Sequence, residues 1–319
     1  MLRYLLWRLV MTLMVAVIVT TVLGMLANII PGDPVTLVMG PRASPEFARE
    51  VRAEMGLDKP VWVQVLTFLW HALHGNLGTD FVSHQSVTSI LASYLPHTII
   101  LAVVALALAT AVGIPMGVYA ATKPGTLIDA VTSLVSVSFI TVPSYVVALL
   151  LLLVFPVLLG VLPATGVGDI SSPMDYLRHL ILPACALALV WVGYLARVLR
   201  SGMLEVLGAD YIRAARALGL RERLIAYRYA LKNAVIPTVA LLGVSLGDLL
   251  GGAVFVEVIF TRPGLGSLIV EAIKDRNFPI VRGAVLVVAL LFVLANLAAD
   301  LSYRVLDPRI RVEESGRLA

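Results

Sequence analysis

The stretch GADYIRAARALGLRER, Gly208–Arg223, decides how this chain is read. Arg213, Arg216, Arg221 and Arg223 stand there among alanines, in a 319-residue chain that is 60% hydrophobic and only 14% charged. Long apolar runs lie on both sides of it. The mean hydropathy is +0.96. A water-soluble chain of this length has too little interior for so much apolar surface, whereas a membrane protein uses lipid as its solvent. In lipid each backbone N–H and C=O must be paired within its own segment, so long apolar runs become helices.

Working outward, six runs are expected to cross a bilayer: Leu9–Ile30, His97–Ala121, Val131–Gly160, Ile181–Ala196, Ala234–Phe260 and Gly283–Tyr303. Most reach the roughly 20 residues that the hydrocarbon core requires. Ile181–Ala196 is the shortest; it lengthens by taking in His179 and letting Arg197 snorkel. Leu9–Ile30 exceeds the apolar core of a secretory signal, which is about 7–15 residues, and reads as a retained helix. The fold expected is all-α and polytopic, with six transmembrane helices.

Charge orients it. With the N-terminus inside, segments 1–8, 122–130, 197–233 and 304–319 are cytoplasmic and hold 15 of the 24 basic residues; 31–96, 161–180 and 261–282 hold the other 9. Lys and Arg concentrate on the cytoplasmic side, so both termini are expected there. The net charge of +4 follows from this topology and does not point to nucleic acid. Cys185 is the single cysteine, so no intrachain disulfide forms.

The outer segment 31–96 is patterned. Pro31–Pro34 is a turn, Ser44 to Gly56 a short amphipathic helix, and a second helix begins at Asp58 and Pro60. Trp62, Val65, Leu66, Leu69, Trp70 and Leu73 form its apolar stripe, and paired tryptophans suit a membrane interface. Ser86–Tyr94 is expected to be helical and to end at Pro96. His71, His74 and His84 stand near one another; a polar interfacial face and a metal-handling site are both open readings.

In the third run Pro143 and Pro156 can kink the helix. Ser136, Ser138 and Thr141 either line a polar path or bond back to their own helix. Three acids lie in apolar runs: Asp248 at mid-span, Glu257 near the outer end, and Asp300, spaced to pair with Arg304. Intramembrane acids are functional hypotheses by default. Asp248 is the first candidate for the pathway; Glu257 is a gate or a structural residue.

The basic stretch itself reads as a helix with Asp210 as N-cap and Gly219 as the C-terminal stop. Ile212, Ala215 and Gly219 follow one line, small and suited to docking in a groove; Arg213 and Arg216 follow another. A solvated loop accounts for the arginines but not for Ala214, Ala215, Ala217, Leu218 and Gly219, which suggest a partner. A second helix leads on to Pro237.

These residues resemble the cytoplasmic EAA loop of ATP-binding-cassette importer permeases: Arg213, Ala214, Ala215, Gly219 and later Ile236-Pro237. The leading Glu is replaced by Arg213 and the second half lies further on, as in the di- and oligopeptide branch; RAARALGL (213–220) and ALKNAVIP (230–237) fit that branch. The islands IIPGDP (29–34), EMGLDKP (54–60), GNLGTDF (75–81), VGIPMGVYAA (112–121), VPSY (142–145), GGAVFVEVIFTRPGLG (251–266) and LSYRVLDPRIR (301–311) are similar to its B-type permease subunit, in order along the chain.

The resemblance implies a type I importer permease fold with periplasmic amphipathic helices between the first two spans. The expected organisation is residues 1–30 as cytoplasmic tip and first helix, 31–96 periplasmic, 97–303 a five-helix core with coupling loop 197–233, and 304–319 a cytoplasmic tail. Tyr211, Ile212, Arg213, Ala214, Ala215, Arg216, Ala217, Leu218 and Gly219 would be the coupling helix. Implied partners are a second homologous permease, two cytoplasmic ATPases carrying ATP and Mg²⁺, and an external substrate-binding protein, in a bacterial inner membrane.

The cargo implied is a di- or oligopeptide, with glutathione or nickel as alternatives. None of Lys59, Lys123, Lys232 and Lys274 follows a glycine, so this chain has no ATP-binding P-loop. It is expected to bind no cofactor or metal and to catalyse no reaction: it has no His-Glu-x-x-His, and no serine is expected in a Gly-x-Ser-x-Gly elbow. An ion-coupled secondary transporter remains a rival through Asp248.

Overall fold

A computed structural model describes residues 2–29, 59–80, 82–169 and 171–306, apart from the side chains of 2–6, 9, 27–29 and 301–306. The Pro31–Pro34 turn, the Ser44–Gly56 helix, the tail from 307 and the side chain of Arg304 lie outside the described residues.

The described chain is helical. In order it runs α1 (Leu2–Ile29), α2 (Val61–Leu73), α3 (Val87–Thr122), α4 (Leu127–Thr141), α5 (Ser144–Leu152) continuing as a π-helix (Leu153–Leu159), and α6 (Pro173–Leu207). Then come α7 (Asp210–Ala217), α8 (Glu222–Leu224), a π-helix (Ile225–Ala230), α9 (Leu231–Ala234), α10 (Ile236–Ile259), α11 (Leu265–Lys274) and α12 (Phe278–Leu306). Thr79 and Ser86 form an isolated bridge.

Four helices among the described residues are long and apolar enough to span a bilayer: Val87–Thr122, Pro173–Leu207, Ile236–Ile259 and Phe278–Asp300. A fifth span is the pair Leu127–Thr141 and Ser144–Leu159, if counted as one. The apolar part of α1, Val10–Leu26, is shorter than these. The described residues are therefore all-helical with four to five candidate spans, and among them the count of six is not reached on length and composition alone.

Two expectations are corrected. Helix α3 does not stop at Pro96; it starts with Ser86, whose Oγ accepts from the Ser89 N–H at 3.1 Å, and runs through both Pro96 and Pro115. Each proline removes one backbone donor. Between the two prolines, Ala102, Ala105 and Ala109 are at most 3% exposed, so this stretch of the helix is packed closely on its neighbours. Conversely, Val131–Gly160 is not one rod. It breaks at Val142-Pro143 and bends by 99°. Val142 is extended (φ −83°, ψ 121°), as the residue before proline prefers to be.

The chain falls into two compact units. One comprises Met1–Thr98 with Pro263–Val293, the other Ile99–Arg262 with Leu294–Ala319. In the first, α2 packs along α1, with Val61 close to Gly24. Phe68, Leu77, Val87, Leu265 and Ala284 share its core. The apolar stripe expected on α2 is split: Val65 and Phe68 are buried, while Trp62, Leu66, Trp70 and Leu73 are exposed. Loop 74–86 is tied down by Asp80. That carboxylate accepts from the Val82 N–H (3.1 Å), from the Ser83 N–H (3.0 Å) and hydroxyl (2.5 Å), and from the Asn277 amide. Burial pushes the Asp80 pKa up, but these bonds outweigh it and hold it below the usual carboxylate value.

The second unit is built on α6, 35 residues long. Small residues set its contacts. Gly113 and Gly117 of α3 bring that helix against Val192, Leu195, Ala196 and Leu199; Gly193 of α6 lies under the backbone of Ser136. Such small-residue seams are how membrane helices approach closely. At one end Arg200 of α6 grips Asp129 of α4 with two bonds, Nε to Oδ1 at 2.5 Å and Nη2 to Oδ2 at 2.8 Å. Asp129 also accepts from the Gly125 N–H at 3.0 Å. At the other end the Gly166 N–H donates to the Phe260 carbonyl, and Arg262 donates to the Tyr176 hydroxyl at 2.7 Å. Segments 122–130 and 197–233, both assigned to one side by their charge, thus meet, as do 161–180 and 261–262.

Candidate functional site

Helix α7 lies at the Arg200 end of its unit. Asp210 occupies its first turn, not the cap: the cap position is Ala209, and the Asp210 carboxylate is paired with Arg213. The C-terminus closes as the glycine implies. Gly219 has φ +77°, its N–H donates to Arg216 O at 2.9 Å, and the Leu220 N–H donates to Ala215 O at 3.2 Å. That pair of bonds is the Schellman closure, and it requires the left-handed residue that glycine supplies.

The orientation of α7 reverses the expected faces. Ile212 is fully buried and Ala215 is 6% exposed, both packed on Val118, Leu199 and Met203 and on the following π-helix at Ile225 and Ala226. Two residues of the line read as a docking face, Ile212 and Ala215, instead fasten α7 to its own unit. Tyr211, Arg213, Ala214, Arg216, Ala217, Leu218 and Gly219 are exposed. Arg216 is partly engaged, with Nε on Glu222 at 2.9 Å, and the Tyr211 hydroxyl accepts from Asn233 at 2.9 Å. Leu218, 81% exposed, is the most prominent apolar group on this surface. Helical spacing alone could not tell an inward stripe from an outward one; the large Ile212 was the signal for the inward one.

The pathway candidates separate. Ser138 and Thr141 are exposed, and both bond back, to Leu134 O at 2.9 Å and Val137 O at 2.8 Å. Ser136 is buried against α6. Glu257 is fully buried. Its electrostatic partner is Arg262, itself 1% exposed and stacked 4.9 Å from the Tyr176 ring. Burial lowers the Arg262 pKa, while Tyr176 and Glu257 oppose that shift. Asp248 is exposed. With Thr141 it lines a cavity of about 390 Å³ beside the break at Val142-Pro143. Thr141 and Asp248 are therefore brought together, and Ser136 and Glu257 are not part of that cavity.

Ser245 does stand in a Gly-Val-Ser-Leu-Gly sequence (243–247), but mid-helix. It is fully buried with its hydroxyl on Leu242 O, without the strand-to-helix turn that makes such a serine a nucleophile. His74 bonds Trp70 O at 2.8 Å, and among the described residues no three His, Cys, Asp or Glu side chains cluster as metal ligands. Sequence reasoning missed Asp80 with Asn277, Asp129 with Arg200, and buried Arg262. Each pair is far apart along the chain, so no local pattern marks it.

Residues 113–312 match the family described as the binding-protein-dependent transport system inner membrane component, and residues 1–102 match its N-terminal component. This chain belongs to that family: it is the membrane permease of a binding-protein-dependent ATP-binding-cassette importer, a multi-pass inner-membrane protein and not an enzyme. Among its relatives is a Brucella abortus (strain 2308) chain with the provisional name peptide transport system permease protein, 41% identical over 96% of this chain and 98% of that one. The dipeptide transport system permease protein DppB of Escherichia coli (strain K12) is 37% identical over 98% of this chain and 99% of its own. A chain of the MetNI methionine ABC transporter, solved in inward-facing conformations, shares the fold with a TM-score of 0.57 at 19% identity. That match covers 68% of this chain and 96% of the other.

Proposed function

We propose that this permease carries di- or oligopeptides and forms half of their path, beside a second homologous permease. The observation that carries the reading is identity of 37–41% over nearly the whole length to chains named for peptide and dipeptide transport. Two cytoplasmic ATPases power it and an external binding protein delivers the cargo. It crosses the membrane six times, α1 included, with both termini cytoplasmic and residues 31–96 periplasmic.

Helix α7 is the coupling helix. Its Ile212–Ala215 face is anchored in the permease, and its Tyr211, Ala214, Ala217 and Leu218 face enters a cleft of one ATPase. Closure of the ATPases on ATP moves that cleft, and the anchored face passes the movement to α3 and α6. Asp248, mid-way along an apolar helix yet exposed, suits a water-filled path, because a bare carboxylate facing lipid is costly.

The test is purification in mild detergent with the native partners. Two ATPases, a second permease and a binding protein holding a short peptide are expected. A binding protein holding glutathione or nickel would replace the cargo, and recovery of this chain without any ATPase would overturn the reading.

A further inference from the structure

We infer that the cavity at the broken span receives an ammonium group of the cargo during passage, with Asp248 as its counter-charge. This rests on the reading of the chain as half of a solute path. The cavity holds about 390 Å³, within the range of small-molecule sites. Its walls come from the α4–α5 break, from α6 (Leu187, Trp191 and Tyr194) and from α10 (Asp248).

Three of its features attract positive charge. Asp248 supplies a carboxyl group near the middle of the 24-residue helix α10, roughly 17 Å from either end at 1.5 Å per residue. The rings of Trp191 and Tyr194 lie 5.5 Å apart in the same wall, and aromatic faces bind ammonium groups. Helix α4 ends at the cavity with its carbonyls, and Pro143 has no N–H to give to the Phe139 carbonyl, four residues before it. Among the described residues no Lys or Arg lines the cavity. The start of α5 at Ser144 works the other way, but a helix terminus is equivalent to only about half a charge, so the carboxylate decides the sign. A free peptide has an ammonium terminus, and so matches the site. A buried acid such as Glu257 could not act this way, because it is sealed and already faces Arg262.

The experiment uses the complete complex with Cys185→Ala and Thr141→Cys in this chain. Thr141 lines the cavity, and its hydroxyl serves only its own helix. Modification of Cys at 141 is followed by the mass of the peptide that carries it, with methanethiosulfonates bearing either trimethylammonium or sulfonate. The cationic reagent is expected to react about tenfold faster relative to the anionic one than it does after Asp248→Asn, and Asp248→Glu is expected to restore the preference.

In proteoliposomes, dialanine taken up per ATP hydrolysed is expected to fall about tenfold in D248N and to recover in D248E. A reagent ratio unchanged by D248N, or full dialanine uptake in D248N, overturns the proposal. A complex that shows the D248N-sensitive reagent preference but takes up no dialanine upholds the site and counts against peptide cargo, so the two readings fail separately.

Discussion

Leu218→Asp is expected to abolish nucleotide-driven uptake while the permease still inserts, folds and melts as the wild type does. Leu218 is the C-cap of α7 and 81% exposed, so the chain's own fold asks little of it. If α7 seats in an ATPase cleft, that side chain is buried there. Burying a leucine contributes about 1.5–3 kcal/mol, and an unpaired carboxylate in its place adds a desolvation penalty of similar size or more. Together these correspond to a loss of roughly 100-fold or more in coupled uptake. Uptake into proteoliposomes and the melting temperature of the purified chain separate the two effects. Uptake at the wild-type level would remove the docking role of this face.

The choice of residue matters. Ala215→Glu would drive a charge into the contact with Leu199 and Met203, and Gly219→Asp would force a side chain onto a φ of +77°. Either loss would report on folding as much as on docking.

Gly117→Ala is the second large effect, and it acts on the fold. A methyl group there would lie 2.7 Å from the Ala196 carbonyl oxygen and 3.1 Å from Leu199 Cβ. The nearest atom is backbone, so α3 must move off α6. Overpacking of this kind costs about 1–3 kcal/mol and sometimes more. The seam also carries the anchored face of α7, since Val118, Ala121, Leu199 and Met203 share one core with Ile212. A lower melting temperature and weaker uptake are both expected, and Gly117→Val should prevent stable accumulation. Gly251→Ala on α10 is the control: among the described residues nothing lies within 4 Å of a methyl group there, and no loss is expected. Equal melting temperatures for G117A and G251A would contradict the close approach.

The apolar runs were legible because lipid imposes one rule on every spanning segment: helices at those positions follow from hydropathy alone. Their ends were not. Pro96 and Pro143 are the same residue with opposite outcomes, one absorbed in a helix lined with buried alanines and the other at a 99° break. A proline alone does not tell the two cases apart, although the β-branched pair Thr141-Val142 before Pro143 favours extended backbone more than Tyr94-Leu95 before Pro96 does.

Helix α7 was legible as an element, from its alanines and from Gly219, but its spacing did not give its orientation. Ala215 is small enough to suit either a partner's groove or the chain's own core, and only the large Ile212 beside it pointed inward. The Asp129–Arg200 clamp, 71 residues apart in sequence, and the Asp80–Asn277 bond, 197 apart, depend on contacts that no window of sequence contains. Asp248 was legible as a lone mid-span acid; its cavity was not, because that depends on the bend at Pro143.

The central claim is that a separate ATP-driven motor grips the outer face of α7. It is tested most directly by placing a photo-activated benzoylphenylalanine at Ala217, exposed on that face, and irradiating the assembled transporter in its membrane. The expected product is one adduct between this chain and an ATPase subunit, formed in good yield and lost when the same group is placed at Leu134, exposed on the apolar helix α4. An adduct only with lipid or with other copies of this chain, in a complex that still hydrolyses ATP and takes up cargo, would contradict the account.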